Sequence, residues 1–419
     1  MYFGTIKFKK KTLNQILLWI MLITPYTIIP LVNFSILPSV FKYIPDLCWL
    51  FLLLCMLIRT TKKDFDVKFL SLFIGVFFGT AFFLYFMNYQ SLFYFLWGLR
   101  NNVRFYVFFL SVILSFREED VQEYYVFLDI FFAVEALAMF VQRLVLDYKG
   151  DSLGGVFGND SGCNGYVNLF FCIYLAISYM EYTNNRIHLK AFTIRIVLML
   201  ILAGYAEIKF FYIEFVIILA VSLLITEFSL KKLIIIAIAV LALDIGYHIM
   251  LQLFPGSTLG GNVLLEYGSS VRGYTGTNDL NRLYFMKKIN TLFLVNPFWI
   301  LFGLGMGNCD YAGGYSFVTS PFYEANQNLH YTWFSTTHMY LENGLFGLFF
   351  LFGFFALIIL FCYKRITKEN HEDVCRLVIV CAVIGVMNLV YNNSLRTEAG
   401  YMLYLVCAFP FLRNMESKG

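Results

Sequence analysis

The sequence predicts an all-α polytopic membrane protein with about twelve transmembrane helices and one large extracytoplasmic loop. Three observations carry this. Of 419 residues, 60% are hydrophobic and only 14% charged, with a mean hydropathy of +0.70. A soluble fold of this length needs far more charge to cover its surface. Apolar runs of about 20 residues, enough to cross a hydrocarbon core of about 30 Å as helix, recur along the chain. The basic residues fall mainly in alternate connections between those runs, as the positive-inside bias requires.

Windows of about 19 residues place spans one to nine near 15–37, 43–59, 69–88, 92–116, 121–146, 165–181, 191–207, 209–227 and 232–251. Spans ten to twelve follow near 334–361, 376–393 and 397–412. Span one comes after Lys7, Lys9, Lys10 and Lys11. It is too long for a signal-peptide core and lacks a small-residue cleavage site, so it reads as a retained helix. With the amino terminus inside, the inner connections collect 20 of the 31 basic residues, among them Arg59, Lys62, Arg117, Arg186, Lys231, Lys364 and Arg413. The outer connections hold few, with Arg143 and Arg396 at span ends. Both termini are therefore expected in the cytoplasm. The chain divides into helices one to nine (1–251), an extracytoplasmic, periplasmic loop with short helices (252–333), and helices ten to twelve with a cytoplasmic tail (334–419). The net charge of +4 follows from the same bias and calls for no nucleic-acid partner.

Within the long loop, residues 255–276 are rich in Gly and Ser and read as irregular. From Leu283 to Val295 apolar residues recur at helical spacing, with Asp279 or Asn281 as N-cap. Asn296-Pro297 is expected to close that helix, because the residue before proline is pushed out of the α region. The glycine-punctuated apolar run Trp299–Gly307 reads as half-embedded at the interface. Aromatic residues from Tyr311 to Tyr323 suit either an interfacial belt or stacking on sugar faces. A second outer loop, 146–164, is rich in Gly and Asn, which supply turn conformations cheaply.

Nine cysteines, mostly inside spans, form no CxxC or His/Cys cluster, so neither a metal site nor a disulfide framework is expected. Cys163 and Cys309 both fall on the outer side and are the one pair that could join. Ionisable groups inside spans are costly and usually face a cavity or a partner. Arg100 and Arg104 share one face of span four, and Asp129 or Glu135 of span five would be their structural partners. Lys209 begins span eight, where it can either snorkel to the outer interface or face a site. Arg104, Lys209, Arg272 and Arg282 are all expected toward the outer half. Several cations converging there suit a diphosphate, since guanidinium groups match phosphate oxygens in fork geometry. No carboxylate cluster for a divalent metal is evident, so these cations would neutralise that charge themselves.

Three short patches give the chain a resemblance. They are Gly155-Val-Phe-Gly-Asn159, Glu207-Ile-Lys209, and Asn281-Arg282 followed by Asn296-Pro297 and Phe302-Gly-Leu-Gly-Met-Gly307. With His338 and Gly344 leading into span ten, the order resembles that of the O-antigen and capsule polymerases (Wzy-type), within the group that includes the O-antigen ligases. The six-residue interval from His338 to Gly344 is shorter than the family pattern, and His330 is the alternative counterpart. Lys209 stands where the ligases more often have arginine, which favours polymerase.

The resemblance implies a GT-C-like fold and a metal-independent, lipid-carrier-dependent glycosyltransferase without a cofactor, in a bacterial inner membrane. Its substrate would be an undecaprenyl-diphosphate-linked oligosaccharide, and its pathway partners a chain-length regulator and a flippase. On this reading His338 or Glu342 is the base toward the acceptor hydroxyl and Arg282 acts at the diphosphate. Arg104, Lys209, Arg272, Asn159 and His330 would bind diphosphate or sugar. An O-antigen ligase acting on lipid A-core, or a lipid-linked oligosaccharide flippase or exporter, is the competing reading.

Overall fold

A helix occupies each of the twelve apolar windows. These are α1 (Leu13–Asn33), α2 (Ile44–Ile58), α3 (Phe65–Met87), α4 (Leu92–Ser115), α5 (Glu118–Leu144), α6 (Asn164–Thr183), α7 (Leu189–Tyr205), α8 (Lys209–Ile225) and α9 (Leu230–Leu253). Three short helices follow, α10 (Phe285–Leu292), α11 (Pro297–Phe302) and α12 (Pro321–Asn326), before α13 (Ser335–Ile366), α14 (Glu372–Tyr391) and α15 (Gly400–Ala408). The computed structural model describes residues 11–33, 35–58, 64–226, 230–253, 279–312, 316–366 and 372–412, and no strand occurs among the described residues. Seven helices are long and apolar enough to cross a membrane by length and composition: α1, α2 with the 3-10 turn before it, α3, α5, α9, α13 and α14. The described residues are thus all-helical, and the composition is that of a polytopic membrane protein.

Aromatic side chains fill the centre. Phe77 of α3 stacks flat on Phe350 of α13 at 3.8 Å, and Tyr106 of α4 packs against Phe350, Phe354 and Tyr404. The tilted and edge-on pairs of Tyr106 add to the area they bury. The helices around this centre present apolar faces outward, with Leu54, Leu57, Leu72, Phe82, Leu137 and Leu241 all exposed. That is the surface a lipid solvent accepts.

Segment 279–333 builds a second, smaller core on the first turns of α13. Leu280, Phe285, Ile289, Leu294, Cys309 and Tyr331 pack with Tyr340 and Leu341, and Tyr340 donates to Asn290 Oδ1 at 2.7 Å. Local detail here departs from the sequence expectation. The helix expected over 283–295 spans only Phe285–Leu292, and Tyr284, with no side-chain cap bond, stands at its N-cap. Asn281 instead accepts the Leu283 N–H at 2.8 Å in an Asx turn one step earlier. Asn296-Pro297 opens a helix rather than closing one. Asn296 caps α11 by accepting the Trp299 N–H at 2.9 Å, and Pro297 takes the first helical position, where its missing N–H costs nothing. Before α15, residues 394–399 are a 3-10 turn and loop, so the last helix is shorter than window 397–412.

Candidate functional site

Gly344 breaks α13 and thereby makes the site. Its φ of 60° and ψ of −153° lie where L side chains are strained. At the break, the Leu341 and Glu342 carbonyls accept the Leu304 and Gly305 N–H groups, each at 2.9 Å. The glycine part of the run, 303–307, is therefore packed into the protein, while Leu301 just before it stays exposed. A Cβ on Gly303 would fall on the Glu342–Asn343 peptide, and one on Gly307 on the Tyr94 carbonyl of α4. Gly303, Gly305 and Gly307 all have positive φ, which lets the run pass between two helices at backbone contact.

This path carries Asp310 to the buried face of α13, one helical turn of which presents His338 and Glu342 together. His338 Nε2 lies 3.4 Å from Glu342 Oε1 and 3.9 Å from Asp310 Oδ1. Glu342 Oε1 accepts the Gly307 N–H at 2.9 Å and the Cys309 N–H at 3.3 Å. Arg396, from the turn after α14, reaches Asp310 Oδ2 at 3.3 Å and stands 3.9 Å from Glu342 Oε2. Asn101 of α4 donates to Asp310 Oδ2 at 2.7 Å. All four members of this cluster have largely buried side chains. Neither ring nitrogen of His338 has a hydrogen-bond partner among the described residues, nor do Glu342 Oε2 and Arg396 Nη1. Tyr331 sets its ring edge-on to His338 at 5.7 Å and donates to the Cys309 carbonyl at 2.7 Å. Burial pushes the Cys309 thiol well above its ordinary range, so it stays protonated.

Arg104 lies beside this cluster, donating from Nη1 to Glu398 at 2.8 Å and from Nη2 to the Arg396 carbonyl at 3.2 Å. Its expected partners of span five are engaged elsewhere. Asp129 pairs with Arg195 at 2.6 Å, and Glu135 accepts the Val156 N–H at 2.7 Å, pinning the 154–158 loop to α5. Arg100 forms a two-pronged pair with Asp46, at 2.9 Å and 2.7 Å. Arg282 lies with its guanidinium over Tyr391 at 4.6 Å and Phe334 at 4.9 Å. Phe210, next to Lys209, stacks on Tyr391 at 4.1 Å. Tyr391 is thus shared by Arg282 and by Phe210, the neighbour of Lys209, while the Lys209 ammonium pairs with Glu207 at 3.1 Å.

Two other predicted residues stand apart from the cluster. His330 occupies a left-handed turn between two 3-10 helices. Its ring stacks on Trp333 at 4.0 Å and its Nδ1 faces Asp279 at 3.7 Å. Asn159 is on the exposed second loop and donates to Tyr148 at 3.2 Å. Arg272 lies outside the described residues. All nine cysteines are free thiols, so Cys163 and Cys309 are unpaired; Cys163 Sγ instead lies 3.3 Å from the Asp151 carbonyl.

Sequence reasoning missed Asp310 and Arg396. Asp310 follows the glycine run by three residues, but nothing in that spacing says the run folds back on α13. Arg396 was indistinguishable from an interfacial arginine at a span end. The carboxylate cluster that seemed absent is assembled from residues 310 and 342, which only the fold brings together. No family model, curated protein or solved structure matches the chain.

Proposed function

We propose that this chain is a polysaccharide polymerase. It would join undecaprenyl-diphosphate-linked oligosaccharide repeat units into O-antigen or capsular polysaccharide at the outer face of the bacterial inner membrane. The observation that carries the reading is the buried His338–Glu342–Asp310–Arg396 cluster, flanked by Arg104 and reached by the folded segment after α9. Arg282 over Tyr391, and Lys209 next to the Phe210 that stacks on Tyr391, are further cations close to this end of the bundle. Ser335 N, at the start of α13, donates to the Asn392 carbonyl at 3.1 Å, which ties these neighbourhoods together.

In this reaction the acceptor's hydroxyl oxygen bonds to the anomeric carbon of the donor glycan, and the bond from that carbon to the diphosphate oxygen breaks. The hydroxyl proton passes to Glu342, whose Oε2 lacks a hydrogen-bond partner among the described residues, with His338 beside it at 3.4 Å from Oε1. The leaving diphosphate gains negative charge, which fixed cations stabilise without reorganising. Both termini would be cytoplasmic, placing the cluster on the side where lipid-linked repeat units are joined.

Deletion of the coding sequence followed by gel analysis of surface glycan tests the reading. A ladder collapsed to one repeat unit supports polymerase. Long glycan retained on the lipid carrier but missing from lipid A-core means ligase, and an unchanged ladder removes the proposal.

A further inference from the structure

We propose that Asp310, His338 and Glu342 bind one divalent metal ion, which gives the cluster the positive charge a diphosphate requires. The part of this that concerns the diphosphate rests on the reading above. Each of the three residues offers one ligand atom, all three residues are buried, and these atoms lie within 4.8 Å of one another. The second observation is the imidazole. The His338 side chain is 2% exposed and aims Nε2 at both carboxylates, with neither ring nitrogen partnered among the described residues.

The distances say what kind of contact this is. At 3.4 Å and 3.9 Å the His338 Nε2 separations are too long for hydrogen bonds. A protonated imidazole between two carboxylates would draw them to about 2.7–2.9 Å. Ligands held about 2.1 Å from a tetrahedral ion stand about 3.4 Å from each other; the His338–Glu342 pair has that separation, and Asp310, at 3.9 Å from His338, would close by about half an ångström. The mixed nitrogen and carboxylate donor set suits Mn2+ or Zn2+ better than Ca2+.

Charge points the same way. With a neutral imidazole, the cluster sets two carboxylates against the single guanidinium of Arg396. The adjoining Arg104–Glu398 and Arg100–Asp46 pairs are already matched. A buried surplus of negative charge repels a diphosphate, and a divalent ion reverses its sign. The surroundings also hold the ligands as outer-shell groups do at metal sites. Arg396 and Asn101 take Asp310 Oδ2, the Tyr311 N–H donates to Oδ1 at 3.0 Å and holds it toward His338, and the Gly307 and Cys309 N–H groups fix Glu342. The sequence alone gave the opposite expectation, metal independence, because it kept residues 310 and 342 apart.

The test uses the full-length protein, purified in lipid nanodiscs and stripped with EDTA. Mn2+ is titrated and followed by electron paramagnetic resonance, and Zn2+ by competition with a chromophoric chelator. One ion per chain is expected. Affinity should fall at least 100-fold in Asp310→Asn, Glu342→Gln and His338→Ala, with each variant eluting as folded protein. His248→Ala, which removes the exposed His248–Asp244 pair of α9, should bind as the parent does. Absence of stoichiometric binding of either ion overturns the proposal, as does binding that survives Asp310→Asn and Glu342→Gln. Those outcomes would leave a shared proton as the group that balances the cluster. Because binding is read without substrate, it can fail while the glycan ladder still collapses, and the reverse.

Discussion

Replacing Gly344 by alanine should undo the site and destabilise the protein together. The residue's φ of 60° and ψ of −153° belong to a region that costs a side-chain-bearing residue about 1–3 kcal/mol. The added Cβ would stand 2.5 Å from the Leu301 carbonyl carbon and 2.6 Å from the Ile300 and Leu301 oxygens. Those are backbone atoms of α11, which cannot swing aside as a side-chain tip can. If α13 straightens instead, the Leu304 and Gly305 N–H groups lose their acceptors, at about 1 kcal/mol each. Either route costs about 2 kcal/mol or more, roughly a 30-fold shift in the folding equilibrium. Glu342 would also leave the Gly307 and Cys309 N–H groups that hold it. The assay is thermal denaturation of detergent-purified protein, scored by the fraction still eluting as a single peak, with glycan length measured in parallel. Gly75→Ala is the control. It sits in α3 with nothing within 4 Å of its Cβ position, and there alanine should be neutral or stabilising by up to about 1 kcal/mol. A Gly344→Ala protein that denatures with the parent and makes full-length glycan would refute the kink as the device that builds the cluster.

Reporter fusions at Gly260 and Lys368 should read external and cytoplasmic respectively, and the reverse pattern would invert the sidedness of the site. Arg282→Ala should abolish chain extension at normal protein abundance; Lys209→Arg should keep partial activity where Lys209→Ala keeps none, since an ammonium acts as a point charge. Unchanged glycan length in Arg282→Ala would remove that residue from the site. His338→Ala should slow polymerisation of purified lipid-linked units by about 10²–10⁴-fold, with His330→Ala close to the parent; the opposite result would move the chemistry to the Trp333 platform. Cys163 should alkylate slowly at pH 8, because burial, with Asp160 adding to it, pushes its thiol up to about 12. Its thiolate, the reactive form, accumulates only as pH climbs toward that value, so rapid labelling at pH 8 would contradict its burial.

The fold was legible because apolar runs of this length satisfy their own backbone groups as helices. Each of the twelve windows holds a helix, and seven of the described helices are long and apolar enough to cross a bilayer. What misled was local. Asn-Pro carries two opposite meanings, stopping a helix that precedes it or starting one that follows, and the capping bond from Trp299 to Asn296 decides for the second. Arg100 and Arg104 were rightly expected to seek carboxylates, but the nearest ones in sequence order were the wrong ones. Asp46 and Glu398 lie far away along the chain and close in space.

The site was half legible, and the half that was missing has a physical cause. His338 and Glu342 share a helix face, so their spacing alone puts them together. Asp310 reaches them because three glycines take positive φ and Gly344 breaks a helix, and Arg396 because the 3-10 turn after α14 returns to them. Glycine in an apolar run signals conformational freedom, yet does not say what passes close by. Two runs that each need glycine at van der Waals contact are one event here: Gly303 lies on the Glu342–Asn343 peptide and Gly344 lies on Leu301. Reciprocal contacts of this kind make the cluster an all-or-none feature of the fold. A side chain at either glycine separates both strands of the crossing, and with them the carboxylate of Asp310 from that of Glu342.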